Sequence, residues 1–340
     1  MPSSRPRVFR PTPANLARLA ALLRRGGLVG VPAETVYGLA ADALNPAACA
    51  AIFTAKGRPT TDPLIVHLAT ARDLPTVAVT NAAVAPLAQA FWPGPLTLVL
   101  PKQACIPELI TAGRPTVAVR VPGHPLFRKL IRLAGRPLAA PSANPFGYIS
   151  PTCAAHVRDG LAGTALRAVL DGGDCAVGVE STILDLTDPA RPRLLRPGGI
   201  AVEAIERVLG RPVLRPKAPR LAVTTAAPAP GMLAQHYSPR TPLRLHPRLD
   251  AAALAVLPAD EAALLLRKPT RLPCPADARA GRILWLSETG ADNEIARHLF
   301  ARLRALDTGG WRRLHAEIPA GSEGLIPAIR DRLQRAAARA

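Results

Sequence analysis

Lys56-Gly-Arg58-Pro59 places two cations two residues apart where a helical segment stops. Both can reach an anion held over the following loop, although Lys and Gly at a helix C-terminus are also ordinary capping residues. Pro141-Ser-Ala-Asn144 follows a short apolar run. Its small residues let backbone donors, the Ser142 hydroxyl and the Asn144 amide come close to a phosphate; alone, the tetrapeptide is no more than a good turn. His67 shares a strand face with Ile65, and a histidine so placed is by itself most often a structural group. The sequence contains no G-x-x-x-x-G-K-[ST], so a phosphate site here is not a P-loop. It also shows no recognisable Ser/His/Asp or Cys/His arrangement for nucleophilic catalysis.

These groups fall on loops between alternating elements, which predicts an α/β domain. Leu16, Leu19, Leu22 and Leu23 line one side of a helix over Asn15–Arg25 that Gly26 and Gly27 end. A second helix runs from Pro46 to Lys56 and a third from Val202 to Leu209, and strands are expected at 28–31, 63–68, 96–100, 116–121, 138–140, 168–170 and 181–186. Residues 213–242 hold six Pro, four basic residues and no acid, the composition of an extended linker with polyproline character. Beyond it a second βα alternation uses strands at 283–286 and 314–318 and helices at 292–306 and 325–338. The division is therefore 1–212, 213–242 and 243–340.

Composition bounds the remaining readings. The 340 residues are 49% hydrophobic and 20% charged, enough apolar material for real cores and too little charge for a disordered polybasic chain. Aromatic residues make up 4%, which argues against a stacking platform for single-stranded nucleic acid. The formal charge is +19, yet only five of the 43 basic residues are Lys. Residues 1–212 carry 23 basic against 13 acidic, the linker 4 against none, and the rest 16 against 11. Most of the surplus reads as Arg-rich composition, the remainder as serving anionic ligands. Cysteines at 49, 105, 153, 175 and 274 have no metal-ligand or disulfide spacing and read as reduced, mostly buried thiols. With neither a signal-peptide pattern nor roughly 20 apolar residues in a row, a cytoplasmic protein is expected.

Eight segments in order, Pro32-Ala-Glu-Thr-Val-Tyr-Gly-Leu39, Lys56–Pro59, Asp62-Pro-Leu-Ile-Val-His67, Thr116-Val-Ala-Val-Arg-Val-Pro122, Pro141–Asn144, Val177-Gly-Val-Glu-Ser-Thr182, Leu195-Arg-Pro-Gly198 and His236-Tyr-Ser-Pro239, resemble the YrdC/Sua5 family. The tail Gly321–Leu333 looks like the end of that family's longer, two-domain form. The resemblance implies a YrdC-like twisted mixed sheet with flanking helices, followed by a smaller Rossmann-like α/β domain. It also implies condensation of L-threonine, bicarbonate and ATP, carried with Mg²⁺, into threonylcarbamoyl-AMP and pyrophosphate for a tRNA modification, with hand-over to a tRNA threonylcarbamoyl transferase.

Carried over residue by residue, Lys56, Arg58, Ser142 and Asn144 form the basic and polar tetrad around the triphosphate, and Thr35, His67, Arg120 and Ser181 hold threonine. Asp62, Thr116, Thr152, Arg196 and Tyr237 join Arg58, Ser142 and Asn144 at the nucleotide. No dedicated metal ligands are implied. Asp62 departs from the Asn frequent in the family, and is expected either to contact the metal or to point toward Arg58. Tyr237 makes the linker either a lid that excludes water or simply an anchored strap. Two alternatives stand beside this reading: a YrdC-type carbamoyltransferase, for which the chain lacks the expected length and cysteine motifs, and a non-catalytic RNA-binding protein, which leaves Thr35, His67 and Ser181 unexplained.

Overall fold

The structure, a computed structural model, describes residues 5–215, 226–231, 237–270 and 281–339. His236, Cys274 and half of the expected polyproline segment, residues 216–225 and 232–236, lie outside the described residues. Ten strands form one mixed sheet: β1 (Arg7–Phe9), β2 (Val29–Val31), β3 (Gly38–Asp42), β4 (Ile65–His67), β5 (Leu96–Pro101), β6 (Thr116–Arg120), β7 (Leu138–Ala139), β8 (Ala168–Leu170), β9 (Thr182–Asp185) and β10 (Arg193–Arg196). Their spatial order is β1-β8-β2-β3-β7-β4-β6-β5-β9-β10. A separate sheet, wholly parallel, is built from β11 (Leu243–His246), β12 (Glu261–Arg267), β13 (Ile283–Ser287) and β14 (Arg313–Glu317) in the order β11-β14-β12-β13. Parallel strands need crossovers and cover on both faces, which makes this part Rossmann-like.

The central strands of the large sheet are buried on both faces, and the two faces are covered differently. Val66, Leu98, Val119 and Leu184 point into the main core, which is closed by α2 (Pro46–Lys56) and other helices. One residue out of phase, Ile65, Val99, Ala118 and Ile183 meet Ala227 and Ala229 of the linker. Elsewhere on the sheet a further core packs Leu16, Leu19 and Leu23 of α1 (Pro13–Arg24) with Phe127, Leu130 and Ile131 of the helix at Pro125–Ala134. The period of two along each strand thus leaves one face of β4, β6, β5 and β9 for a segment of chain rather than a helix.

The ends of α2 are set locally. Asn45 caps its start, its side chain accepting from the N–H groups of Ala47 and Ala48, and Pro46 sits where a missing N–H costs nothing. Gly57 ends it in the left-handed conformation at φ 63°, so the chain turns sharply between Lys56 and Arg58. The cysteine expectation needs correction: Cys49 and Cys175 are buried, but Cys153 is half-buried and Cys105 exposed.

Candidate active site

The face of the sheet left to the linker ends in polar groups. In the parallel pairing of β4 with β6, His67 stands opposite Arg120. Thr97 of β5 and Ser181, immediately before β9, touch through their hydroxyls at 2.8 Å. Arg196, at the end of β10, donates to the Ser181 carbonyl from Nε and a terminal nitrogen (3.2 and 3.0 Å) and to the Ser181 hydroxyl at 3.2 Å. Its remaining terminal nitrogen donates to the Pro230 carbonyl at 3.1 Å. That last bond brings the linker over the face. Gly231 follows at φ 76°, and a Cβ there would lie 2.9 Å from Arg196 and 3.0 Å from the Tyr237 hydroxyl, so glycine is needed both for its conformation and for the close approach.

The result is a cleft lined by Thr35, Arg58, His67, Arg120, Ser142, Glu180, Ser181, Arg196, Gly231 and Tyr237, with Ile65, Phe127 and Ala140 among its apolar wall. Its three arginines are fixed by protein acceptors. Arg58 donates to the carbonyls of Asp62 (3.0 Å) and Pro63 (2.7 Å) and pairs with the Asp62 carboxylate at 3.0 Å. Arg120 bonds the Gly94 carbonyl, the Thr35 hydroxyl and the Glu34 carboxylate. Burial alone would raise the Glu34 carboxyl, but Arg120 and the Gly123 N–H outweigh it and hold it below its usual value. Asp62, fully buried, is pushed up by burial against the pull of Arg58. His67 is driven down to about 3, first by burial and then by Arg120, and its Nδ1 has no partner among the described residues; it is a neutral imidazole that can hydrogen-bond without carrying charge.

Five expected site residues lie off the wall of this cleft. Lys56 stands behind the Pro141–Asn144 loop, its Nζ donating to the carbonyls of Ser142 (2.5 Å) and Asn144 (2.6 Å), with its pKa lowered strongly by burial and by Arg58. Asn144 turns its amide onto the carbonyls of Pro145 and Tyr148. Asp62 points toward Arg58, one of its two expected orientations. Thr152 lies against His156. Thr116 occupies the same face of β6 as Arg120 but four residues away, roughly 13 Å along the strand.

Tyr237 touches both domains. Its ring stacks on Phe300 at 5.4 Å and lies under the guanidinium of Arg332 at 5.1 Å, both from the second domain, while its residue lines the cleft beside Pro230 and Gly231. The sequence reading gives Phe127 and Arg332 no role, and places Glu34 and Glu180 beside ligand loops, able to orient basic groups, without assigning them. A usable signal for Phe127 was the amphipathic Pro125–Ala134 run that Gly135 ends; none marked Arg332 as a group reaching into the other domain.

Fold and site together define a class: an α/β protein with a YrdC-like sheet, a Rossmann-like second domain and a partly covered cleft suited to an anion and a small polar molecule. The chain belongs to the Sua5/YciO/YrdC family, whose model, described as telomere recombination, matches residues 21–198. A model described as the threonylcarbamoyl-AMP synthase C-terminal domain matches residues 200–338. The chain is 42% identical over 324 residues to a threonylcarbamoyl-AMP synthase of Pyrococcus abyssi, covering 93% of this chain and 92% of that one. It is 47% identical over 235 residues to the Bacillus subtilis enzyme of that name, covering 68% and 66%. The crystal structure of P. abyssi Sua5 complexed with L-threonine superposes with a TM-score of 0.85 at 39% identity, covering 97% of this chain and 96% of that one.

Proposed function

We propose that this chain condenses L-threonine, bicarbonate and ATP into threonylcarbamoyl-AMP with release of pyrophosphate, the first step toward N6-threonylcarbamoyladenosine in tRNA. The observation that carries the reading is the set of three buried arginines, Arg58, Arg120 and Arg196, held around one partly covered cleft with Thr35, Ser142 and Ser181. The threonine amine attacks the carbon of CO₂ and gives up a proton, or that of bicarbonate with a C–O bond broken and water lost, and either route yields a carbamate. A carbamate oxygen then attacks the α-phosphorus, and pyrophosphate leaves. No enzyme nucleophile is needed; fixed cations neutralise charge on the phosphoryl oxygens, and because they are already oriented they need little reorganisation in the transition state.

Within that scheme Arg58, Arg196, Ser142 and Tyr237 serve the nucleotide, and Thr35, His67, Arg120 and Ser181 the amino acid. Lys56 and Asn144 act by fixing the Ser142 loop. Thr116 and Thr152 belong to the more distant nucleoside end, and Asp62 orients Arg58 rather than binding metal; Mg²⁺ enters with ATP as part of the substrate. Residues 226–231 and Tyr237 shield the acyl-adenylate from water. The product passes to a transferase that acylates the tRNA adenine, and the whole takes place in the cytoplasm. Among the described residues no helix is long and apolar enough to cross a membrane. The test is pyrophosphate release from ATP with each co-substrate omitted in turn: release is expected only with threonine and bicarbonate together, and release indifferent to either rejects the reading.

A further inference from the structure

We propose that Glu180 receives the α-amino group of the amino-acid substrate, and that Arg332 of the second domain is the positioning residue that holds Glu180 in place. The proposal rests on the threonine reading above and extends it. A free amino acid is a zwitterion, so its site needs an acceptor for the ammonium as well as donors for the carboxylate. Among the described residues lining the cleft there are three arginines, and the carboxylate is Glu180. Asp62 and Glu34 pair with their arginines and are not part of the lining.

Glu180 is also fixed from several directions. One carboxylate oxygen accepts from the Ser150 hydroxyl at 2.6 Å and the other from Arg332 Nε at 2.8 Å, which leaves each oxygen a lone pair for one further donor. Its carbonyl accepts from the Gly199 N–H at 3.0 Å. A Cβ on Gly198 would lie 2.4 Å from that same carbonyl oxygen, so the backbones are in direct contact there. Arg332, fully buried on the helix Ile326–Ala336, also donates to the Pro197 carbonyl at 3.0 Å and to Asp331 at 2.7 Å. The next residue, Ser181, lines the same cleft. The second domain thus reaches the amino-acid subsite through one ion pair.

The test compares L-threonine with 2,3-dihydroxybutanoate of matching configuration, which replaces the amine by a hydroxyl. Both are titrated calorimetrically into the full chain without nucleotide. The wild type is expected to favour threonine roughly 10- to 100-fold, the range for a charge-assisted hydrogen bond. Glu180→Gln is expected to shrink that ratio to about threefold or less while ATP affinity is retained; a general structural defect would weaken both acids alike. Arg332→Met is expected to lower the ratio and Arg332→Lys to restore part of it, a pair that decides the matter should Glu180→Gln fail to fold. A wild-type ratio in Glu180→Gln, or in Arg332→Met where that variant must stand in, overturns the assignment alone. A wild type that binds no L-threonine overturns the threonine reading with it.

Discussion

His67 shows how far the fold sets a single residue's chemistry. Its imidazole is held neutral in the folded chain by burial and Arg120, with a pKa of about 3, and His156 is lowered to about 4 by burial and Arg304. The unfolded chain takes up protons on both near pH 6.5, so it binds more protons than the native state between those values, and stability falls as pH falls through that window. Thermal melts from pH 7 to 5 should show a shallower decline in His67→Asn than in the wild type; an unchanged slope contradicts the assignment of a neutral imidazole. The sequence offered His67, Arg58 and Arg120 through motif and residue type. It gave no sign that Lys56 would face the carbonyls of the Ser142 loop, because residues 86 and 88 positions away supply the acceptors.

At the scale of elements, legibility followed the strength of local signals. Asn45-Pro46 and Gly57 bracket α2, which runs as expected from Pro46 to Lys56. Removing that cap should matter: Asn45→Ala is expected to cost about 1 kcal/mol in urea unfolding and to lower activity by loosening the helix end that carries Lys56 and Arg58. A loss below about 0.3 kcal/mol would mean the cap contributes little. Gly38–Asp42 lacks any β-branched residue and is a strand because β2 and β7 flank it. Glu261–Arg267 is rich in Glu, Ala and Leu, good helix formers, yet forms an interior strand between β13 and β14; tertiary pairing overrides propensity there.

Across the whole molecule the decisive feature is the joint between the domains. Besides the Arg332–Glu180 pair, Arg304 of the second domain donates to the carbonyls of Ile149 and Ser150, and Tyr148 bonds Asp307 at 2.7 Å. Composition marked the linker but could not show that Ala227 and Ala229 would cover a sheet face, or that buried arginines would cross the joint. Arg304→Met strands two carbonyls and is expected to lower stability by about 2 kcal/mol or more and to weaken ATP binding, since Ser150 follows the Ser142 loop; unchanged ATP affinity would show that the joint does not support the site.

In the proposed reaction the cleft joins threonine to bicarbonate carbon and then to AMP. Incubating the full chain with ATP, L-threonine and ¹³C-bicarbonate, and weighing the nucleotide product by mass spectrometry, tests it directly. One adenylate is expected, carrying a single ¹³C and the threonine mass, formed in step with pyrophosphate and lost in Arg58→Ala. An adenylate without the label, or full yield from Arg58→Ala, would contradict it.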